Sequence, residues 1–415
     1  MVHQTMRTST ARAARASSKI RSMRSAFAAR LAPALAIVAM LAGCALGPSK
    51  PPRVPEPRSI DTAPAPLPPL TGPLTHPKTR WVPVAWAELP GFDEDTTSEG
   101  WVALLANCQR PNAAFAPLCG EVRRLAIASP EEQRAFLMER LQPYRVEAPG
   151  GQSEGLLTSY YEPVFDATRQ PSATHAVPLY GLPPGAGRGR AWYTRQQIDT
   201  DPQAQAALRG REIAWLADPI DALMLHIQGS GRLRITEPDG RQRIVRLAFA
   251  GTNEQPYRSV QGWLAGQGVS PIGRWPEDVK AWAVQNPQRV PQMLWSNPRY
   301  TFFREEPLGE VDAAFGPRGA QGVPLTAGRS VAVDRDAIPY GTPLWLWSAG
   351  PTAQLQRLVV AQDTGSAIVG AVRADFFAGT GAEAGRFAAR MKQPLRLWAL
   401  WPRGLDPSGT AVSRN

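Results

Sequence analysis

Three aspartates crowd the C-terminal third of this 415-residue chain, each beside an apolar run and a glycine. They are Asp334 in Gly328-Arg-Ser-Val-Ala-Val-Asp334-Arg-Asp336, Asp363 in Val359-Val-Ala-Gln-Asp363-Thr-Gly365, and Asp375 in Val372-Arg-Ala-Asp375-Phe-Phe. A rigid strand end can hold a carboxyl group in a cleft. Gly365 and Gly370 allow a tight turn and close approach of a ligand to the backbone. Phe376 and Phe377 give Asp375 an apolar setting, which raises a carboxyl pKa by desolvation and suits a general acid near neutral pH. Asp363, on a neighbouring loop, is placed to tune it. The residues alone offer three or four carboxylates without ranking them, and aspartates that only cap turns fit the same pattern.

Other chemistries fit poorly. Gly151-Gln-Ser153-Glu-Gly155 has nucleophile-elbow spacing, but a Pro-Gly loop precedes it and a strand follows, the reverse of the required strand-then-helix context. Gly379-Thr-Gly381-Ala-Glu-Ala-Gly385 has dinucleotide-fingerprint spacing, yet too little chain follows for a βαβ unit, so it is read as the start of a helix. Two internal cysteines and the scattered His3, His76, His175 and His226 make no metal-ligand cluster, so neither metal nor cofactor is expected. His226 is read as packed. Two polar segments suit sugars, whose hydroxyls bond to amides and whose ring faces lie on aromatics. One is Gln228-Gly229-Ser230-Gly231; the other, Gly251 to Ser259, contains Asn253 and Tyr257. Each is equally compatible with a self-bonded turn.

The elements that must position these groups read as a β-rich body with flanking helices. Helical spacing covers 97–109, 130–142, 256–267 and 275–284, the second opened by Ser129-Pro130-Glu131-Glu132 as cap and acidic first turn. Strand-like runs are 155–165, 223–228, 232–236, 243–249, 299–304, 329–333, 343–347, 355–361 and 395–400. Most of the 13 tryptophans are assigned to the core.

The N-terminus belongs to another kind of sequence. The formal charge is +11, but Arg7, Arg12, Arg15, Lys19, Arg21, Arg24 and Arg30 precede residue 44 with no acid among them. The remainder is mildly basic and shows no basic, aromatic-laced stripe, so no nucleic-acid partner is expected. The apolar run Leu31–Leu41 is too short to span a bilayer and fits a signal-peptide core. Leu41-Ala42-Gly43-Cys44 resembles a bacterial lipobox, which implies cleavage and acylation at Cys44. By resemblance to Gram-negative lipoproteins, Ala45 after the cysteine implies the outer membrane, facing the periplasm. Eleven prolines between 48 and 78 predict an extended tether of roughly 90 Å at about 3.1 Å per residue. Export implies an oxidising compartment, where Cys108 and Cys119 could form a local bridge or remain buried thiols.

Ser159-Tyr160-Tyr161-Glu-Pro163, Gln228-Gly-Ser-Gly231, Asn297-Pro-Arg-Tyr-Thr-Phe-Phe303, Ser330-Val-Ala-Val-Asp334 and Gln362-Asp-Thr-Gly365 with Asp375-Phe-Phe occur in that order. Over roughly residues 80 to 402 this set resembles the membrane-bound lytic murein transglycosylase A family. The resemblance implies a six-stranded double-psi β-barrel with a second β-rich domain inserted into it and a glycan groove between. It places the signal peptide at 1–44, the tether at 45–79, the barrel at 80–166 plus 297–405, the insertion at 167–296 and a tail at 406–415. It implies cleavage of peptidoglycan between N-acetylmuramic acid and N-acetylglucosamine, without water. It further implies Asp375 as the acid/base and Asp363 as its support. Tyr160, Tyr161, Gln228, Gly229, Ser230, Asn253, Tyr257, Asp334 and Gly365 are implied glycan contacts. Asp336 competes with Asp334 for the third acidic position, and Ser366 stands where a second glycine is often found. Implied partners are glycan strands, the membrane through Cys44, and other murein synthases or hydrolases. A hydrolase using Asp363 with Asp375, and a glycan-binding lipoprotein without activity, remain alternatives.

Overall fold

The computed structural model describes residues 68–76, 78–269 and 276–406. The signal peptide, Cys44, most of the tether and most of the tail lie outside the described residues. Among the described residues fifteen strands form two sheets, and chain order shows one sheet interrupted by the other. The first sheet opens with β1 (Leu74–His76), β2 (Thr79–Pro83), β3 (Leu141–Glu147) and β4 (Gly155–Glu162). The chain then builds a second sheet from β5 (Val164–Thr168), β6 (Val177–Tyr180), β7 (Glu212–Leu216), β8 (Gly231–Thr236), β9 (Gln242–Thr252) and β10 (Thr301–Pro307). It returns to the first with β11 (Ser330–Val333), β12 (Pro343–Ala349), β13 (Gln354–Asp363), β14 (Arg373–Thr380) and β15 (Lys392–Pro402).

Within the first sheet the order β15-β12-β13-β11-β14-β4 closes on itself, because β4 also pairs with the start of β15. Six strands therefore make a barrel, which removes their open edges. β15 shows how the sequence encodes it. Lys392, Pro394 and Arg396 alternate outward with Gln393, Leu395 and Leu397 inward, and the following run to Trp401, which pairs with β3, is buried on both faces. Trp81, Trp101, Trp345 and Trp401 are fully buried in the core around the barrel, whereas Trp86, Trp192, Trp215, Trp263, Trp282, Trp295 and Trp347 are only partly buried.

Capping chemistry holds the flanking helices. Ser129 and Glu132 form a reciprocal capping box at the start of Pro130–Arg140, the pattern that satisfies two exposed amide donors. Buried Arg329 ties the helix Thr97–Asn107 to the barrel through Asp95 at 2.9 Å and Glu99 at 2.8 Å. Cys108 and Cys119 are joined as a disulfide that pins the end of this helix.

Several expectations need correction. Residues 223–228 are not a strand. They belong to the helix Pro219–Gln228, which Asp218 caps and Pro219 opens; both signals favour a helix start. The helix expected at 130–142 stops at Arg140, and Leu141 begins β3. Pro163 separates the run 155–165 into β4 and β5, in different sheets. Order also begins before residue 80, since Leu74–His76 pairs with β2. The strand at 301–307, read as part of the barrel, pairs with β9 in the second sheet.

Candidate active site

The site forms where three barrel strands run side by side. Ala332 of β11 lies opposite Asp363 of β13 on one side and opposite Asp375 of β14 on the other, and Asp375 in turn lies opposite Thr158 of β4. Residues in register on adjacent strands share a sheet face. Asp363, Ala332, Asp375 and Thr158 thus make a row, with the two aspartates separated by two inter-strand spacings, about 10 Å between Cα atoms. A register shift between Val331 and Ala332 puts Asp363 in this row. Without that bulge Gln362 would face Ala332. Gln362 instead turns inward, fully buried, donating to the Ala103 carbonyl and accepting from the Ser330 hydroxyl. Bulges commonly re-aim side chains beside active sites.

Asp375 is the third residue of β14, so it lies within a strand instead of at its end. Alternation puts Ala374 and Phe376 in the core and leaves Arg373 and Asp375 half-buried on the other face. The Thr158 hydroxyl donates to Asp375 Oδ1 and accepts from Arg373 Nη2 at 2.8 Å. Burial pushes the Asp375 carboxyl up to about 6. The Thr158 hydrogen bond and the Arg373 charge oppose that rise, and the Asp363 charge adds to it. A carboxyl group in this range carries a proton at mildly acidic pH and can release it near neutrality.

Asp363 is held differently. Its Oδ1 accepts the amides of Ala320 and Thr364, each at 2.9 Å, and its Oδ2 accepts the Tyr160 hydroxyl at 2.8 Å. Burial raises its pKa, and these three donors work against the rise. Burial and the adjacent carboxylate keep Tyr160 protonated well beyond its usual range. The Tyr160 ring also packs on Phe377, with centroids 5.3 Å apart.

The remaining expected site residues divide by their surroundings. Tyr160 and Tyr161 part by strand alternation: Tyr160 meets Asp363, whereas Tyr161 is buried among Met224, Ala384 and Ala388. Gln228 ends its helix and accepts the Tyr161 amide at 3.1 Å, which brings the Gln228-Gly229-Ser230 turn to β4. Gly229 takes a left-handed conformation, φ 79°, as a helix-terminating glycine does. Ser230 is half-buried and Tyr257 is exposed. Asn253 has no exposed surface, and its amide is occupied by the backbone of Tyr193, Pro298 and Tyr300. It clamps β10 and the preceding turn, and no face is left for a ligand. Asp334 accepts the amides of Asp336 and Gly370 and the Lys78 ammonium. Burial alone would raise its pKa, but these donors together hold it below the usual range. It fixes the 365–370 loop to the end of β11. Asp336 is exposed and pairs with Lys78 at 2.7 Å. Gly365 accepts the Ile368 amide within that loop, and Gly370 has φ 111°. His226 is buried against Tyr300 and Phe303. Among the described residues no group of three or more His, Cys, Asp or Glu is arranged to hold a metal ion.

Thr158 and Arg373 escaped the sequence reading. A period of two would have found them, because Thr158 precedes Tyr160 by two residues and Arg373 precedes Asp375 by two.

Residues 156–304 match the family model described as the MltA specific insert domain, and residues 329–401 match the 3D domain. Membrane-bound lytic murein transglycosylase A of Vibrio cholerae is 32% identical over 274 residues, covering 63% of this chain and 69% of the relative. Among solved structures, MltA from Neisseria gonorrhoeae is similar with a TM-score of 0.70 and 29% identity, over 84% of this chain and 99% of that one. The lytic transglycosylase LtgG of Burkholderia pseudomallei is similar with a TM-score of 0.55 and 40% identity, over 82% and 99%. The interrupted barrel, the aspartate row and these matches agree, and the chain belongs to the membrane-bound lytic murein transglycosylase A family.

Proposed function

We propose that this enzyme is a lytic transglycosylase that cleaves peptidoglycan strands at the β-1,4 bond between N-acetylmuramic acid and N-acetylglucosamine, with Asp375 as its one acid/base. Protonated Asp375 gives its proton to the glycosidic oxygen, and positive charge develops at C1 of the muramyl ring. The carboxylate formed then takes the proton of the muramyl 6-hydroxyl as that oxygen attacks C1. The bond to the leaving sugar breaks, the bond from O6 to C1 forms, and a 1,6-anhydromuramyl end results. Attack from within the same sugar carries a large proximity advantage.

The observation that carries the reading is the unequal state of the two carboxyl groups. Burial pushes the Asp375 carboxyl up to about 6, and it meets one hydroxyl. Asp363 has both oxygens engaged by three donors. A glycoside hydrolase needs a second carboxylate, either as nucleophile or to activate water. Asp363 is engaged elsewhere, so its part is to place negative charge near the developing cation and to hold Tyr160. The 6-hydroxyl supplies the missing nucleophile.

We assign the glycan to a groove between barrel and inserted sheet, with the Gln228-Gly229-Ser230 turn and Tyr257 as sugar contacts. Escherichia coli MltA, of the same fold, has been crystallised with chitohexaose, which supports a β-1,4-linked aminosugar strand as ligand. Acylated Cys44 would attach the enzyme to the outer membrane, facing the periplasm, and the proline-rich segment would give it reach.

Asp375→Asn is expected to abolish release of anhydromuropeptides from purified sacculi. Mass spectrometry of wild-type products decides the chemistry, since reducing ends would show that water was the nucleophile and overturn the mechanism.

A further inference from the structure

At the segment that returns to the barrel stands a polar hollow that this mechanism leaves unused. Its volume is about 220 Å³. Arg246 of β9, Glu306 near the end of β10, and Asp312, Phe315, Gly316 and Arg318 of the segment returning to the barrel form its walls.

The returning segment fixes its position. Gly316 lies so close to the Phe377 ring that a Cβ there would strike it. Three residues further, Gly319 borders the Asp363 side chain, and Ala320 donates its amide to Asp363 at 2.9 Å. Phe377 is two residues along β14 from Asp375, about 7 Å at the strand rise. The segment that walls the hollow thus also packs on Phe377 and on Asp363.

Its electrostatics are unbalanced on one side. Fully buried Glu162 is shared by two guanidinium groups, Arg232 at 2.7 Å and Arg246 at 2.7 Å, whose side chains are only 12% and 8% exposed. One buried and one largely covered cation against one buried anion leave a positive charge over. Arg246 Nη2 reaches the carbonyls of Asp312 and Phe315, and among the described residues no acceptor meets its Nη1. A buried charge without a counter-charge is costly, which favours an anion in the space beside it. Exposed Arg318 adds a second guanidinium. The same walls carry negative charge on Asp312 and on Glu306, the latter paired with Arg304 at 2.8 Å.

We infer that this hollow binds a zwitterionic α-amino-acid group on a peptide stem of peptidoglycan. Arg246 and Arg318 take the carboxylate, and Asp312 and Glu306 take the ammonium. The volume lies below the 300 Å³ or so at which drug-sized pockets begin and suits a single residue. Three extended stem residues reach roughly 10 Å, so a stem leaving a muramyl sugar at Asp375 extends past Phe377, on which the wall of the hollow packs. The inference rests on the lytic transglycosylase reading.

Two measurements on the full chain test it. The first compares kcat/KM on glycan strands that retain tripeptide stems and on strands stripped by an amidase. Stem-bearing strands are expected to be preferred by about tenfold to a hundredfold, the range of one charge-assisted hydrogen bond. Arg318→Ala and Asp312→Asn, both at exposed positions, should each remove most of that preference and leave the rate on stripped strands unchanged. Equal rates of the wild type on both strands, or variants that keep the preference, overturn the inference. The second measurement is calorimetric binding of the free tripeptide L-Ala-γ-D-Glu-meso-diaminopimelate, with free meso-diaminopimelate as the comparison. Tripeptide binding that weakens in Arg318→Ala supports the stem assignment. Tighter binding of the free amino acid, or no binding of either, overturns it. Failure of the wild type on stripped and stem-bearing strands alike would refute the lytic reading, and tripeptide binding would still judge the hollow.

Discussion

Thr158→Val should move the pH dependence of the reaction in a direction fixed by the site. Valine keeps the shape of threonine and deletes the hydroxyl that donates to Asp375 Oδ1 and accepts from Arg373 at 2.8 Å. That hydrogen bond stabilises the ionised carboxylate. A hydrogen bond to a charged group contributes about 1.5–3 kcal/mol, and each pKa unit corresponds to about 1.4 kcal/mol. Asp375 is only half-buried, so the lower end applies, about one unit. Its pKa should therefore rise from about 6 towards roughly 7. A general acid must start the cycle protonated, so activity is lost as pH rises through its pKa. In the wild type the descending limb of kcat/KM should pass through about pH 6; in the variant it should fall about one unit later. The variant's maximum should be lower, because Asp375 loses the contact that aligns it. Initial rates of anhydromuropeptide release from sacculi, taken from acid to mildly alkaline pH, provide the profile. A variant limb that stays in place or moves to lower pH would refute the reasoning. A wild-type rate that rises through pH 6 would do the same, since the ionised carboxylate would then begin the cycle.

Asp375→Asn should stabilise the protein at neutral pH while abolishing activity. Burial raises the folded-state pKa from 3.8 to about 6, so between those values the folded state binds more protons than the unfolded one and wild-type stability falls as pH rises. The gain from Asn should approach about 1–2 kcal/mol above pH 6, after discounting for partial exposure, and disappear below about pH 4. Urea denaturation on either side of this window checks it, and an equal effect on both sides would sink it. Serine at Cys108 and Cys119 opens a loop with a sequence separation of 11, which should cost about 2–3 kcal/mol on the chain-entropy account. Thermal unfolding with and without reductant measures that, and the variant should lose the response to reductant. Glu162→Gln leaves Arg232 and Arg246 with no carboxylate and should destabilise by about 3–5 kcal/mol. Chemical denaturation reads the loss, which a change confined to the exposed surface would not produce.

Much of the barrel could be read from apolar runs. The segments 343–347, 355–361 and 395–400 fall within strands β12, β13 and β15, and 329–333 overlaps β11 from Ser330, because a strand buried on both faces reads as a continuous apolar run. The strand that carries Asp375 was harder to see. Arg373-Ala-Asp-Phe-Phe-Ala-Gly-Thr380 mixes charges and glycine into a half-open strand, and its bulge after Phe377 breaks the alternation. The helix 219–228 was misread because its buried stretch is apolar all round, where periodicity cannot separate helix from strand. Asn253 illustrates a different gap. An amide among Gly, Thr, Glu and Gln suits a sugar contact, but the carbonyls it bonds come from residues up to 60 positions away, which local sequence does not reveal.

The row across β13, β11, β14 and β4 explains how one carboxyl group can suffice. Ala332, between the two aspartates, presents only a methyl group, so a low floor separates them. Its own strand is buried, so the floor is rigid. About 10 Å between Cα atoms sets one carboxyl at each flank of Ala332, which is itself buried. The flanks then do different work because their hydrogen bonds differ. Three donors fix Asp363 in place, so using it as a nucleophile would mean breaking them in a partly desolvated site. Asp375 meets a hydroxyl and is pushed towards neutrality by burial, so gaining and losing one proton costs little near pH 6. Such a site is suited to moving a proton out and back across one face of a sugar, and poorly suited to activating water on the other. On the mechanism proposed here, the geometry selects the substrate's own hydroxyl.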